Sequence, residues 1–329
     1  MTKKHDVVGI GSPLLDIIVN VDEEVLQELG LEKGEMKLTS KEESEKILEH
    51  IREHEKDVIS GGSVANTISG TSLVGNKSIL LGIIGDDEHG EIYEKQTRDD
   101  GVYSMLHRHG DDATGHAVIF VTPDGERTMA THLGAAASMR DHHILDDEIK
   151  KGKFLHIEAY QLEDPLTREA MFQAMDTAKN NGIKVGLDLS DPWLIDRTGD
   201  LFKDVVDKYA DVVFANEDEA VKFTGLNEID AVHSIADMCD TAVVKLGKKG
   251  SLIKSDGKLY KINPHSIEVV NTNGAGDMYA AGVIHGIVND LCLHETGKIA
   301  SHMAALVVAS PGARMDKMHH GEIEKYRIK

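Results

Sequence analysis

The sequence predicts an α/β protein with a doubly wound, mostly parallel β-sheet and a separate small β-sheet that acts as a lid. Through most of the chain, short apolar runs alternate with helix-like segments. These runs are apolar at consecutive positions, as in parallel strands that are covered on both faces. Two other regions alternate apolar and polar residues, which is typical of strands with only one covered face.

The regular pattern is clearest in the second half of the chain. Asp164 and Pro165 begin a predicted helix there, and Asn181-Gly182 end it, as capping preferences predict. The predicted strands of the main sheet are residues 7–11, 78–84, 154–158, 183–189, 211–215 and 242–246. Further helices are predicted over residues 41–54, 63–73 and 88–98.

The two alternating regions are residues 13–39 and 103–131, the second with a turn at Pro123-Asp124-Gly125. Neither contains enough helix for a strand–helix–strand unit. We expect the two insertions to form the lid. Residues 1–12, 40–102 and 132–329 would then form the main domain.

The charge balance excludes several classes of partner. Lys and Arg number 36 against 57 Asp and Glu, which gives a net charge of −21. Such a chain is a poor partner for nucleic acid or an anionic membrane, because binding there depends on Lys and Arg. No stretch approaches the ~18 apolar residues of a membrane helix. The expected partner is a small molecule.

Nothing at the N-terminus predicts export, because Asp16 and Pro13 interrupt the apolar run that follows Lys3 and Lys4. The only cysteines, Cys239 and Cys292, cannot form a disulfide framework. We predict that both are small buried residues in a reducing compartment, and that the protein is cytoplasmic.

The strongest candidate motif is 271–277, Asn-Thr-Asn-Gly-Ala-Gly-Asp, followed by a helical apolar pattern. Glycines at a helix start leave backbone N–H groups open to an anion, and the helix dipole favours negative charge there. Asp277, in the first turn, could accept a proton from an attacking hydroxyl. The alternative is a glycine turn with Asp277 as a simple helix-start charge.

Two further motifs are candidates for ligand contacts. Gly61-Gly62 precedes a predicted helix that carries Asn66 one turn in, so a ligand could approach the backbone closely. The alternative is an ordinary N-cap at Ser63. Asp16 follows a strand and turn, where a carboxylate can accept from two hydroxyls of a diol. Its alternative role is that of a solvated turn acid.

Together these motifs resemble the ribokinase-like (PfkB) family of sugar and nucleoside kinases. The family has a Gly-Gly…Asn element, an Asn-x-x-Glu element (216–219), a Gly-x-x-Gly turn (247–250) and a final Gly-Ala-Gly-Asp, in this order. Residues 11–16 and 272–277 are similar to the adenosine kinase branch, with Ser12 in place of Asn. Residues 122–129 and 189–192 resemble bacterial nucleoside kinases more loosely.

The resemblance implies an ATP-dependent kinase in which Asp277 is the catalytic base. An anion hole at Gly274, Ala275 and Gly276 would stabilise the transferred phosphoryl group. Arg127, in the lid, would reach the phosphate when the lid closes. The alternative for Arg127 is a surface arginine beside a turn.

The resemblance also assigns two binding regions. The acceptor hydroxyls would contact Ser12, Asp16, Gly61, Gly62, Ser63 and Asn66. ATP would contact Asn216, Glu219, Lys245, Gly247, Gly250 and Thr272, although Lys245 could be a simple strand-end charge. Mg²⁺ would lie near Asn216 and Glu219 and be held through water, since Mg²⁺ keeps several waters.

One departure concerns a monovalent cation. Some family members bind one near the anion hole through an aspartate, where this chain has Asn271. Asparagine keeps an acceptor oxygen but lacks the charge, so activation by potassium is in doubt.

The expected reaction is Mg²⁺- and ATP-dependent phosphorylation of a primary hydroxyl, first of all the 5′-hydroxyl of adenosine to give AMP. The alternatives are another nucleoside kinase or a kinase of fructose, ribose or 2-keto-3-deoxygluconate. The low aromatic content, with one Trp, slightly disfavours a purine. A different class is a ligand-sensing protein that has lost catalysis. A monomer and a homodimer are both compatible with the sequence.

Overall fold

The computed structural model describes residues 3–310, 312–315 and 320–326. The strands are β1 Val7–Ile10, β2 Leu14–Asn20, β3 Met36–Leu38, β4 Lys56–Gly61, β5 Ser78–Gly85, β6 Tyr103–His109, β7 Gly115–Val121, β8 Arg127–His132, β9 Phe154–Glu158, β10 Lys184–Asp188, β11 Val212–Asn216, β12 Thr241–Lys245, β13 Ser251–Ser255 and β14 Lys258–Ile262. The α-helices are α1 Glu23–Leu29, α2 Lys41–His50, α3 Ser63–Leu73, α4 Glu88–Asp99, α5 Asp146–Ile149, α6 Pro165–Asn180, α7 Pro192–Thr198, α8 Asp200–Tyr209, α9 Glu217–Thr224, α10 Glu228–Ala236, α11 Ala275–Val288, α12 Leu293–Val308 and α13 His320–Ile323.

The large sheet has the strand order β14-β13-β12-β11-β10-β9-β1-β5-β6. Neighbours from β12 through β6 pair in parallel, and β13 and β14 add an antiparallel hairpin at one edge. Every residue of β5 is buried, which explains its unbroken apolar sequence. The prediction of a doubly wound, mostly parallel sheet is therefore confirmed.

Helices cover both faces of this sheet. On one face, Met171 of α6, Phe202 of α8 and Ile235 of α10 belong to a single buried cluster with the strands. On the other face, Ile68 of α3 and Val283 of α11 pack against strands of the same sheet. Because these strands are parallel, their carboxyl ends lie at one common edge. The residues at this edge are Ser12 after β1, Glu158 in β9, Asp188 in β10, Asn216 in β11 and Lys245 in β12.

The small sheet has the order β3-β8-β7-β2-β4 and leaves the large sheet directly after β1. Val118 and Phe120 on one of its faces pack with Ile47 and Ile51 from α2 and the turn after it. Its other face contributes Ala117, among others, to a cavity that also reaches the carboxyl edge of the large sheet. This second sheet is the structure that the alternating regions predict.

The predicted lid boundaries need correction at two strands. β6, placed in the lid, pairs in parallel with β5 of the large sheet. β4, placed in the main domain, pairs antiparallel with β2 of the small sheet. β6 is an edge strand with mostly half-buried residues, so its pattern resembles that of a lid strand. α2 ends at His50, four residues before the predicted end.

The two cysteines also differ from the prediction. Cys239 is partly buried, but Cys292 is exposed. Cys292 lies at the N-cap of α12, where the chain turns at the surface, so it is not a core residue. Among the described residues, no helix combines the length and the hydropathy needed to cross a membrane.

The junction between the two sheets yields a prediction about Gly62, which links β4 to α3. Its φ is 90°, and a Cβ there would lie 2.2 Å from the carbonyl oxygen of Ser12. We expect Gly62→Ala to lower the free energy of unfolding by more than the ~1–2 kcal/mol that a left-handed backbone costs an alanine. Urea unfolding measures this loss.

Gly30 provides the matched control. It also has a positive φ, 64°, but a Cβ there would meet nothing within 4 Å. Gly30→Ala should therefore show only the backbone cost. Equal losses of stability in the two variants would contradict a steric role for the Gly62–Ser12 contact.

Candidate active site

At the start of α11, backbone N–H groups without an intrahelical acceptor lie next to the carboxylate of Asp277. Gly274 is the N-cap, with φ 75°, and a Cβ there would lie 1.9 Å from the carbonyl oxygen of Ala313. Glycine is therefore required at this position. The first N–H groups of a helix have no intrahelical acceptor, so those of Gly276 and Asp277 are available to an anion.

The Asp277 carboxylate is held by α3. Ser63 Oγ donates to Oδ1 at 2.8 Å, and Asn66 Nδ2 donates to Oδ2 at 2.9 Å. Thr67 Oγ1 donates to the Asp277 carbonyl oxygen at 3.1 Å. Burial raises the pKa of Asp277, and the two side-chain hydrogen bonds oppose this rise. The carboxylate therefore has a defined orientation and is more basic than an exposed one.

Asp16 lies on β2 against Gly61, where a Cβ would come within 2.6 Å of its Oδ1. Burial raises the pKa of Asp16 to about 7, with the positive charge of Arg314 opposing and the negative charge of Asp277 adding to it. No described residue donates a hydrogen bond to this carboxylate. Its oxygens are therefore open to hydroxyl groups of a ligand.

Glu158, at the end of β9, connects the segment after β1 to the start of α3. It accepts hydrogen bonds from the backbone N–H groups of Ser12 and Val64, at 2.9 and 3.0 Å. Gln161 Nε2 donates to Ser12 Oγ at 2.6 Å. Ser12 is thus held in place at the start of the small sheet. The structure brings the predicted acceptor residues together, with Ser63 and Asn66 bound directly to Asp277.

The predicted ATP residues lie on the other side of α11. Asn216 and Glu219 form a reciprocal capping box at the start of α9, with hydrogen bonds of 2.7 and 2.8 Å between each side chain and the other's backbone N–H. Burial, together with the charge of Asp188, raises the pKa of Glu219 to about 7, and Lys245 opposes this. In this structure the pair therefore acts first as a helix cap.

Lys245 is more than a strand-end charge. Its Nζ forms an ion pair with Asp188 Oδ2 at 3.0 Å; the Lys245 side chain is 15% exposed and that of Asp188 6%. A Cβ on Gly276 would lie 3.1 Å from that Nζ. Burial by itself would lower the pKa of Lys245, but the charges of Asp188 and Glu219 outweigh burial and raise it. The ammonium group therefore stays charged next to the predicted anion hole.

The remaining predicted residues are more peripheral. Gly247 and Gly250 flank the turn after β12, and a Cβ on Gly250 would lie 2.0 Å from the Ile262 carbonyl oxygen. Thr272 is exposed. Arg127, at the start of β8, has a buried Nη1 with no hydrogen-bond partner among the described residues. Its charge helps to lower the Asp16 pKa.

An open cavity of about 980 Å³ lies between the small sheet and the carboxyl edge, with Ser12, Gly62 and Ser63 at its inner end. Asp277 itself does not line it but is reached through Ser63. The apolar and aromatic lining residues include Leu14, Met36, Leu38, Met129, Leu133, Tyr160 and Trp193. The acidic ones are Glu35, Glu158, Glu163, Asp164 and Asp191.

Several contributors were missed by the sequence interpretation: Glu158, Gln161, Asp188, Arg314 and Trp193. Glu158 and Asp188 each end a buried parallel strand, and ligands bind at that edge of open α/β sheets. That position is the signal that could have identified them. Gln161, Arg314 and Trp193 carried no comparable signal in the sequence.

Comparisons with known proteins identify the family of this chain. Residues 34–319 match the family model described as pfkB family carbohydrate kinase. The adenosine kinase structure from Sinorhizobium meliloti is 31% identical with a TM-score of 0.90, covering 98% of this chain and 99% of that chain. Adenosine kinase 1 from Arabidopsis thaliana is 27% identical over 93% of this chain and 94% of its own length. The 5-dehydro-2-deoxygluconokinase from Bacillus licheniformis is 28% identical over 80% and 85%, respectively. The chain is a kinase and belongs to the pfkB family of carbohydrate kinases.

Proposed function

We propose that the protein transfers the γ-phosphoryl group of ATP to the 5′-hydroxyl of adenosine or a closely similar nucleoside. The observation that carries this proposal is the cavity. Its apolar wall with Tyr160 and Trp193 suits a nucleobase, and its inner end leads through Ser63 to Asp277. Trp193 is 72% exposed, so its indole is available for stacking.

In the proposed reaction, Asp277 accepts the proton of the 5′-hydroxyl while the hydroxyl oxygen forms a bond to the γ-phosphorus. The bond from that phosphorus to the β-phosphate oxygen breaks, and ADP leaves. The ribose hydroxyls bind Asp16, whose oxygens are open. Negative charge on the transferred group is stabilised by the backbone N–H groups of Gly276 and Asp277 and by the ammonium of Lys245. The N–H group of Ala275, which the motif also offers to the anion, already donates to the Thr272 carbonyl oxygen at 3.3 Å.

ATP would bind beside α9 and the turn after β12, with Gly247, Gly250 and Thr272 next to the nucleotide. The carboxylates near Lys245 suit Mg²⁺, because they supply the oxygen ligands that this ion prefers. The negative charges of Asp188 and Glu219 together exceed the single positive charge of Lys245. Asn216 and Glu219 would hold the ion through water. Bound Mg²⁺ neutralises phosphate charge during transfer.

The chemistry of the cavity also bears on the sugar-acid alternative, which the relationship to 5-dehydro-2-deoxygluconokinase raises. A sugar acid carries a carboxylate that needs a cation. Among the described lining residues, Arg197 is the only Lys or Arg, and it already pairs with Glu163 through two hydrogen bonds of 2.6 and 3.2 Å. The acidic lining therefore favours an uncharged acceptor. The intact Asp277 site argues against a purely sensing protein.

One prediction concerns Asp277 as the general base. We expect Asp277→Asn to lower kcat by ~10²–10⁴-fold, the usual contribution of a general base, because the amide cannot accept the hydroxyl proton. Adenosine binding, measured by calorimetry, should persist. Asp290→Asn, an exposed change just beyond the same helix, is the control. Wild-type-like turnover in Asp277→Asn would remove this residue from the role of base.

Another prediction concerns the contact between Trp193 and the nucleobase. Stacking of a base on an aromatic side chain contributes ~1–3 kcal/mol, so Trp193→Ala should weaken adenosine binding by about tenfold. Trp193→Phe should retain most of the affinity. Binding of ribose should change little in either variant, since it has no base. If both variants bind adenosine as the wild type does, the nucleobase does not lie on Trp193.

A monovalent cation does not fit the residues present at 271. Asn271 Oδ1 accepts from the Asn273 N–H at 2.9 Å, and Nδ2 donates to the Gly312 carbonyl oxygen at 3.2 Å. A backbone N–H can only donate and a carbonyl only accept, so these contacts determine the orientation of the amide. A donor thus occupies the Gly312 carbonyl oxygen, which makes this oxygen less available to a cation. We propose that activity is independent of potassium.

This proposal is tested with purified enzyme in potassium chloride and in choline chloride at equal ionic strength. We expect equal rates and equal thermal stability for the wild type. Asn271→Asp restores the charge and removes the donor, so it should bind potassium, seen as a potassium-dependent rise in Tm. Strong activation of the wild type by potassium would contradict the proposal.

A further inference from the structure

Arg314 is a buried arginine that no motif marks. It follows α12 and is 9% exposed. Its Nε donates to Asn66 Oδ1 at 3.1 Å, and its Nη1 contacts Asp100 Oδ2 at 2.8 Å. The guanidinium also lies over the ring of Tyr93, 5.9 Å from its centre. Arg314 thus connects α3 to the end of α4.

The contact with Asn66 determines which way that amide points. Arginine has no acceptor, so Asn66 must turn its oxygen towards Arg314. Its NH₂ group then faces Asp277 Oδ2, to which it donates at 2.9 Å. A flipped amide would place its oxygen against the carboxylate and lose both hydrogen bonds. Arg314 and Asp277 thus require the same orientation of the Asn66 amide, and through this amide the guanidinium is linked to the base.

Arg314 is itself held rigidly. Asp100 Oδ2, which accepts from Arg314, also accepts from Ser69 Oγ at 2.7 Å. Ser69 and Asn66 both lie on α3, so the arginine is bound to two positions on one helix. These contacts hold Nε and Nη1, whereas Nη2 is buried with no hydrogen-bond partner among the described residues.

The charge of Arg314 also acts on the acceptor side. Asp16 and Asp277 are like charges that disfavour each other's ionisation, and the guanidinium opposes this for Asp16. The other charged or titratable groups that act on Asp16, Asp277 or the guanidinium are Arg127, Asp188, Lys245, Glu158, Tyr93 and Asp100. Of the cations, Lys245 is paired with Asp188.

We propose that Arg314 is a positioning residue of the phosphoryl transfer: it orients Asn66 so that Asp277 faces the acceptor hydroxyl, and its positive charge favours the ionised form of Asp16. The inference rests on the proposed kinase function. It assigns two separable effects to one side chain, a geometric effect through the guanidinium fork and an electrostatic effect through the charge.

Two variants separate these effects. Arg314→Lys keeps the charge but not the fork, so kcat should fall by about tenfold or more while the acidic limb of the kcat/KM pH profile stays in place. Arg314→Met loses both. Its acidic limb should move up by about one pH unit, because a carboxylate that loses a neighbouring cation protonates more readily. Arg98→Met, an exposed arginine on α4, is the control.

A direct readout does not depend on turnover. Carbon-detected NMR titration of the aspartate side chains should show Asp16 protonating at higher pH in Arg314→Met than in the wild type and Arg98→Met. Circular dichroism checks folding, and Arg314→Lys carries the test if Arg314→Met does not fold. A wild type inactive with every nucleoside overturns the proposal of a nucleoside kinase. An active wild type with unchanged kcat in Arg314→Lys, and with an unchanged acidic limb and an unchanged Asp16 titration in Arg314→Met, overturns the role of Arg314.

Discussion

Buried negative charge at the carboxyl edge of the large sheet is the constraint on which the site depends. Asp188 and Glu219 are buried there and Asp16 and Asp277 are half-buried, and a carboxylate withdrawn from water is costly unless it is paired or hydrogen-bonded. The sheet produces this crowding itself, because its parallel strands end at one edge. The site therefore needs cations that are equally buried.

Two cations compensate this charge near the start of α11. Lys245 pairs with Asp188 and lies next to Gly276. Arg314 contacts Asn66, which donates to Asp277. The first turn of α11 is thus next to an ammonium group and is linked to a guanidinium through one amide. In the proposed reaction, a phosphoryl group at this turn would meet the positive charge of Lys245, and the acceptor would meet an oriented base.

Local patterns in the sequence predicted most of the fold, because buried parallel strands are recognisable from their own residues. The sequence also predicted the Gly-Ala-Gly-Asp turn, since the positive φ of 75° at Gly274 favours glycine whatever lies around it. It did not predict Arg314, whose partner Asn66 lies 248 positions away. Nor did it assign β4 and β6 to their sheets. The alternating pattern reports that one face is covered, but it does not identify the neighbouring strand.

The location of Trp193 changes the inference that the low aromatic content gave about the acceptor. A single tryptophan in the whole chain disfavours a purine only if it lies elsewhere, and Trp193 lines the cavity. The net charge of −21 gains a similar local meaning. In the proposed reaction, acidic residues around the cavity would repel an anionic acceptor, while backbone N–H groups, Lys245 and a divalent ion would compensate the charge of the anionic donor. Selectivity for an uncharged acceptor then follows from where the acids lie, because only the donor side offers compensation for phosphate charge.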